Sequence, residues 1–308
     1  MVAPLPENLD WCIECDNRND LERIIKSVKE IGMPNFTMVV FHTNEFTGMR
    51  AEVRQSGMVC LLRAQLECSV ELRGEGETRN ITVSCEQLLG VLRGSGKPQF
   101  RVRVFQTKGD TNITVQSFDD FDSTFTSSTR LATFMEEEEE LLELDEMSFS
   151  YLLRMDMNFF KSIVKNNIDL GCEQIEITIF QPMCSDAEPK KKKQNTGGNI
   201  FKIRFRCATE NLEDIKEITS LATDQDGRSE IELGDVKTTG IQTSEGEMTQ
   251  RFTLSFDLRF MCSFLKSVDQ RGKLKVFLNE DTPLLFKIDL PTENSFIYFV
   301  QAPQVSED

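Results

Sequence analysis

The segment Phe256-Asp-Leu-Arg-Phe-Met-Cys-Ser-Phe-Leu-Lys266 leads into an amphipathic helix that runs on to Val268. Met261, Phe264, Leu265 and Val268 recur at helical spacing and share one stripe. Arg259 and Lys266 fall on the opposite face, and no acidic residue of the helix shares it. Such a helix buries one side and presents a basic one. Three more segments repeat the pattern. In Asp20–Ile31 the stripe is Leu21, Ile24, Ile25, Val28 and Ile31, opposite Arg23, Lys26 and Lys29. In Ser84–Arg93, Cys85, Leu88, Leu89 and Leu92 point inward and Arg93 outward. In Met157–Ile168, Phe160, Ile163 and Val164 are inward, Lys161 and Lys165 outward. Leu21, Ile25, Phe160, Val164, Phe264 and Leu265 are expected in the core.

The rest reads as strand. Phe36–Phe41, Val59–Leu66, Phe100–Phe105, Ile175–Phe180, Ile200–Phe205 and Lys273–Leu278 are short runs rich in β-branched or aromatic residues and bounded by turn formers. The order strand, helix, strands, helix, strands recurs after residue 147, an internal repeat of architecture with little residue identity. The expectation is an α+β chain of two similar domains, each with two helices packed on antiparallel sheets. The domains span 1–130 and 147–308, with a connector at 131–146. That connector holds five consecutive acids, Glu136 to Glu140, beside Leu131, Phe134, Leu141, Leu142 and Leu144. A second biased stretch, 182–198, carries Lys190 to Lys193 and interrupts a hairpin. It reads as an exposed insertion, either a solvated loop or a basic patch for nuclear import or DNA contact.

Composition narrows the function. The chain has 308 residues, 39% of them hydrophobic, enough for a core. No apolar run approaches the roughly 20 residues of a membrane helix, and MVAPLPENLDW lacks the features of a signal peptide. An intracellular protein without a membrane partner is expected. Nine scattered cysteines then read as reduced thiols. Cys12 and Cys15 have metal-ligand spacing, but no second such pair exists and His42 is the sole histidine, so no metal or cofactor is expected. There is no phosphate-binding glycine loop and no nucleophile elbow; an enzyme is disfavoured. A net charge of −16 argues against nucleic acid as an average, yet partners feel where charge lies, and the helices gather basic residues on one face.

The C-terminal residues carry a resemblance. Phe256–Lys266, with its Leu-Arg-aromatic start and closing Lys, resembles the last helix of the proliferating cell nuclear antigen family of DNA sliding clamps. Thr282-Pro-Leu-Leu-Phe-Lys-Ile288 resembles that family's Pro-Leu-Val strand. Phe296-Ile-Tyr-Phe-Val-Gln-Ala-Pro303 resembles its closing strand, followed here by an acidic end, Ser306-Glu-Asp308. Gly48-Met-Arg-Ala-Glu-Val53 through Leu66, and Ile200 to Asp235, fit the family's strands as a pattern.

The resemblance implies three subunits closed into a ring, helices inside and sheets outside. Such a clamp encircles duplex DNA without reading sequence, serves as polymerase processivity factor, and recruits replication and repair proteins in the nucleus or at a viral replication site. Partners would be double-stranded DNA, a polymerase, a clamp loader, peptide-motif proteins and the chain itself as a trimer. The DNA-facing set would be Arg23, Lys26, Lys29, Arg93, Lys161, Lys165, Arg259 and Lys266. The family's partner-peptide pocket maps to Met58, Pro283, Ala302 and Pro303, with Leu131, Phe134, Leu141 and Leu144 from the connector. The connector departs from the family in having five glutamates and no Ile-Pro. The alternatives are a subunit of a heterotrimeric damage-checkpoint clamp, a processivity subunit that forms no ring, and a scaffold that never encircles DNA.

Overall fold

The computed structural model describes residues 4–54, 59–73, 78–94, 101–118, 125–134, 147–182, 199–225, 228–233, 248–268, 272–280 and 282–304. The first half runs β1 (Leu9–Cys15), α1 (Arg18–Glu30), β2 (Asn35–His42), β3 (Thr47–Arg54), β4 (Cys60–Glu67), β5 (Ser69–Leu72), β6 (Thr78–Ser84), α2 (Cys85–Arg93), β7 (Arg101–Thr107), β8 (Asn112–Phe118) and β9 (Phe125–Ala132). The second runs β10 (Tyr151–Asp156), α3 (Met157–Asp169), β11 (Gln174–Pro182), β12 (Asn199–Ala208), β13 (Glu213–Gln225), β14 (Arg228–Leu233), β15 (Met248–Asp257), α4 (Leu258–Ser267), β16 (Lys273–Leu278), β17 (Leu284–Asp289) and β18 (Phe296–Gln301). Among the described residues, each half reads strand, helix, five strands, helix, three strands. The fold is α+β with the repeat that the hydrophobic pattern suggested.

Local chemistry sets the helix ends. Asn17, Ser84 and Asp156 cap α1, α2 and α3, each side chain accepting from a backbone N–H of the first turn. The same capping motif closes α1 and α3. Gly32 N–H donates to the Lys29 carbonyl and Met33 N–H to that of Val28; Gly171 N–H donates to Ile168 and Cys172 N–H to Asn167. Both glycines have left-handed φ, +97° and +81°, which satisfies the last carbonyls at no Cβ cost. The halves share this backbone device although their sequences differ.

The chain divides into two compact units. Unit 1 holds residues 1–143, 266–268 and 288–299. Its strands form one sheet ordered β5-β1-β7-β8-β9 and a second set ordered β6-β2-β3-β4-β18. Leu21, Ile24, Ile25 and Val28 of α1 and Leu88, Leu89 and Leu92 of α2 are buried. Each contributes about 1.5–3 kcal/mol of hydrophobic burial. The Asp20 carboxylate is fully buried and satisfied. It accepts from Asn17 Nδ2 (2.9 Å), Thr292 N (3.1 Å) and Thr292 Oγ1 (2.6 Å), and faces Arg23 Nη1 at 3.4 Å. It thereby ties the start of α1 to the turn before β18.

Unit 2 holds residues 144–265, 269–287 and 300–308. Its strands are ordered β15-β11-β12-β13-β14-β10-β16-β17. The pairings are antiparallel except β10 with β14, which is parallel. Its core is aromatic. Phe264 of α4 stacks on Phe286 at 6.1 Å, and Phe160 of α3 packs on Phe286 at 5.4 Å and Phe205 at 6.1 Å. All six helix residues expected in the core are buried. Cys12 and Cys15, three apart on β1, face opposite sides of the strand. The described residues contain no group of three or more His, Cys, Asp or Glu arranged to hold a metal ion, and no described helix is long and apolar enough to cross a membrane.

The expected connector opens inside a strand. Leu131 belongs to β9, opposite Ile113 of β8, and is buried. The alternation Thr129, Leu131 against Arg130, Ala132 extends the strand past residue 130. Phe134 follows, its N–H donating to the Thr82 carbonyl of β6 at 2.9 Å while its ring stays 46% exposed.

Candidate nucleic-acid interface

The four helices carry nine Lys and Arg against five Asp and Glu, on a chain of net charge −16. In unit 1, Arg23, Lys26 and Lys29 occupy the polar side of α1, with Lys29 exposed. Arg93 closes α2, its Nε 2.6 Å from Glu22 of α1. In unit 2, Lys165 is exposed and Lys161 is half-buried, and Lys266 of α4, which groups with unit 1, is exposed. The outer face of α3 around Lys165 adds exposed Asn158, Ser162 and Asn166, neutral groups able to hydrogen-bond phosphate oxygens.

The basic residues fall into two classes. Arg23, Arg93 and Arg259 each lean on a carboxylate: Asp20, Glu22 and Asp257. For Arg259 the contact is a fork, with Nε 3.1 Å and Nη2 2.5 Å from Asp257 Oδ2. That hydrogen bond, reinforced by the carboxylate charge, raises the guanidinium above its ordinary pKa. Lys26, Lys29, Lys165 and Lys266 have no carboxylate within ion-pair distance among the described residues. An arginine beside a carboxylate adds little net field, whereas an unpaired lysine offers its whole charge. Sequence periodicity found the eight positions but not the pairing, because Asp257 sits one residue outside its helix and Glu22 lies 71 positions from Arg93.

Arg18 was missed. It lies at the start of α1, before the periodic stripe, and its Nη1 donates to the Leu92 carbonyl of α2 at 2.9 Å. A cation there offsets the negative end of the α2 dipole and holds the two helices together. The signal was a basic residue preceding a helix, which alone points nowhere.

Among the described strands, each unit also has an open edge. β9 ends its sheet in unit 1. Behind it, an open cavity of about 620 Å³ lies between β9 and α2, bordered by Gly90, Val91, Gly94, Thr129, Leu131 and Ala132. In unit 2, β13 pairs with β12 from Glu213 to Ala222, but with β14 only from Ala222 to Gln225. Its first nine residues therefore keep one open edge among the described strands. Leu212 and Ile215 are exposed there, at 39% and 43%, and Leu170 at the end of α3 at 49%. Asn167 Nδ2 donates to Asp214 Oδ2 at 3.1 Å and fixes that helix end to β13.

Of the expected partner-peptide residues, Met58, Leu141 and Leu144 lie outside the described residues, as do Glu136–Glu140, Lys190–Lys193 and the acidic end at 306–308. Leu131 borders the α2 cavity, and Phe134 sits beside β6. Pro283, Ala302 and Pro303 are half-buried in unit 2, where Gln304 N–H donates to the Ser255 carbonyl of β15 at 2.8 Å and holds the end of the chain.

Comparison with protein-family models and with curated protein sequences gives no match. Solved structures do match. The PCNA of Thermococcus kodakaraensis superposes with a TM-score of 0.67 at 15% identity, over 96% of this chain and 100% of that one. A PCNA2–PCNA3 complex from Sulfolobus tokodaii gives 0.62 at 14% identity, over 95% and 99%. At such identity the likeness shows the fold: the chain has the two-domain architecture of PCNA sliding clamps from end to end.

Proposed function

We propose that this protein is a DNA sliding clamp. Copies of the chain close head to tail into a trimeric ring, α1–α4 face an enclosed duplex, and the outer surface recruits a polymerase, a clamp loader and other peptide-bearing partners. It acts by binding and catalyses nothing itself. The observation that carries the reading is the charge distribution: four lysines with no carboxylate partner among the described residues stand on the helices of a strongly acidic chain built on the clamp fold. Phosphate recognition needs diffuse cations without base contacts, and the acid excess elsewhere keeps the protein off DNA it does not encircle.

Assembly follows from the edges. Unpaired strand edges are covered in working proteins. β9 with its adjoining cavity fits β13 of another copy, whose Leu212 and Ile215 supply apolar surface for that cavity. A heterologous contact of this kind closes into a ring when the rotation per subunit divides a full turn. The resemblance assigns partner binding to Met58, Leu131, Phe134, Leu141, Leu144, Pro283, Ala302 and Pro303, and the site of action to the nucleus or a viral replication compartment.

The test pairs size with topology. The purified chain should run by light scattering near three times 35.3 kDa. Once loaded, it should stay on nicked circular DNA and slide off when that DNA is linearised. Equal retention on both forms rules out encirclement. A second reading is a subunit of a heteromeric clamp, favoured by one observation: a solved structure similar to this chain is a complex of two different PCNA chains. A stable monomer that forms a ring only with other clamp chains decides for it.

A further inference from the structure

We propose that Cys15 and Cys68 form a reversible disulfide when the protein meets hydrogen peroxide, locking together the two sheets of unit 1. The pair is placed by register. β1 and β5 run antiparallel with Trp11 opposite Leu72, Ile13 opposite Val70 and Glu14 opposite Ser69. One step further sets Cys15 opposite Cys68. Directly opposed residues of antiparallel strands have Cα atoms about 4.5–5.5 Å apart, inside the range of about 4.4–6.8 Å that a disulfide spans. The two side chains are near enough to influence each other, and the register alone brings the sulfurs within reach of a bond.

Their surroundings differ in a way that orders the chemistry. Cys68 is half-buried, between β4 and the exposed Ser69. Cys15 is 2% exposed. The adjacent Cys68 thiol, and burial after it, push the Cys15 thiol well above its ordinary pKa, so it does not react first. Peroxide therefore meets Cys68. Its thiolate displaces hydroxide from the peroxide O–O bond, giving a sulfenic acid and, with a proton, one water. The Cys15 sulfur then attacks that sulfenic sulfur, loses its proton, and expels the second water. Two thiols and one peroxide become one disulfide and two waters, and a dithiol reductant reverses the step. The partner within reach also protects Cys68 from irreversible over-oxidation.

The consequence follows from topology. Cys68 is the link between β4, in the set β6-β2-β3-β4-β18, and β5, which edges the sheet containing β1. A bond there fastens both sheets at the point where the chain crosses. The inference is independent of the function proposed above.

The test uses the full chain. After brief treatment with hydrogen peroxide, the protein is unfolded, alkylated and digested. The expected result is a linked peptide pair joining Cys15 to Cys68, abolished by dithiothreitol, with a raised melting temperature before reduction. In Cys15→Ser, Cys68 should instead be trapped as a sulfenic acid by dimedone. Recovery of both residues fully alkylated from oxidised wild-type protein overturns the proposal, as does dimedone capture of Cys68 in the wild type without any linked peptide.

Discussion

Gly48 and Gly32 both have positive φ, and what surrounds them differs. A Cβ at Gly48 would stand 2.2 Å from the Leu66 carbonyl oxygen and 2.8 Å from the Phe46 ring. At Gly32 nothing lies within 4 Å. Gly32→Ala should therefore lose only the backbone term, about 1 kcal/mol. Gly48→Ala adds a clash with strand backbone and should lose more than about 2 kcal/mol. Urea midpoints of the two variants check this; equal losses would mean that β3 and β4 part without cost. Asp20 is the other decisive single residue. Asp20→Ala removes the acceptor of the Thr292 amide and hydroxyl and the carboxylate facing Arg23, and should cost about 3–5 kcal/mol, read in the same experiment. Periodicity could not announce either role. Gly48 looks like any turn glycine, and Asp20 reads as an ordinary first-turn acid until residue 292 arrives beside it.

At the scale of the helix, two kinds of cation make separable predictions. Lys26, Lys29, Lys165 and Lys266, changed singly to Gln, should each lower the slope of log K for DNA against log salt by about 0.9. Arg23→Gln, Arg93→Gln and Arg259→Gln should lower it by much less, because each guanidinium already sits on a carboxylate. Arg23→Gln should instead lower the melting temperature, since Arg23 belongs to the buried Asp20 cluster. Arginine variants that match the lysine ones would show that the pairs open on DNA. The amphipathic stripes made all four helices legible, because burial of one face is a one-dimensional pattern with a fixed period. The pairings were not legible, because they join positions on different elements or just beyond a helix end.

At the scale of the molecule, the open edges of β9 and β13 give the assembly prediction. Ile215→Asp places a charge on an apolar side chain that is 43% exposed at the open edge of β13. It should change the stability of the folded chain by only about 0.5 kcal/mol and reduce the proposed trimer to monomer in light scattering. A variant that remains trimeric moves the interface elsewhere. The two-fold repeat of architecture was visible in the order of periodic segments. Its deeper sign, the shared capping motif after α1 and α3, was visible only as Ile31-Gly32 and Leu170-Gly171, two short pairs with no weight until backbone geometry joins them.

Element types, the inward faces of four helices, the recurrence of one pattern in both halves, and the basic residues on the outer faces of those helices were legible in the chain before folding. These are local properties, written in spacing along the chain. Which cations are neutralised, that Leu131 belongs to a strand, that Arg18 bridges two helices, that Cys15 lies opposite Cys68, and which described strand edges stay open all emerged from the folded chain. Each of these depends on residues far apart in sequence meeting in space, and hydrophobic periodicity carries no record of which distant partner a polar group will find.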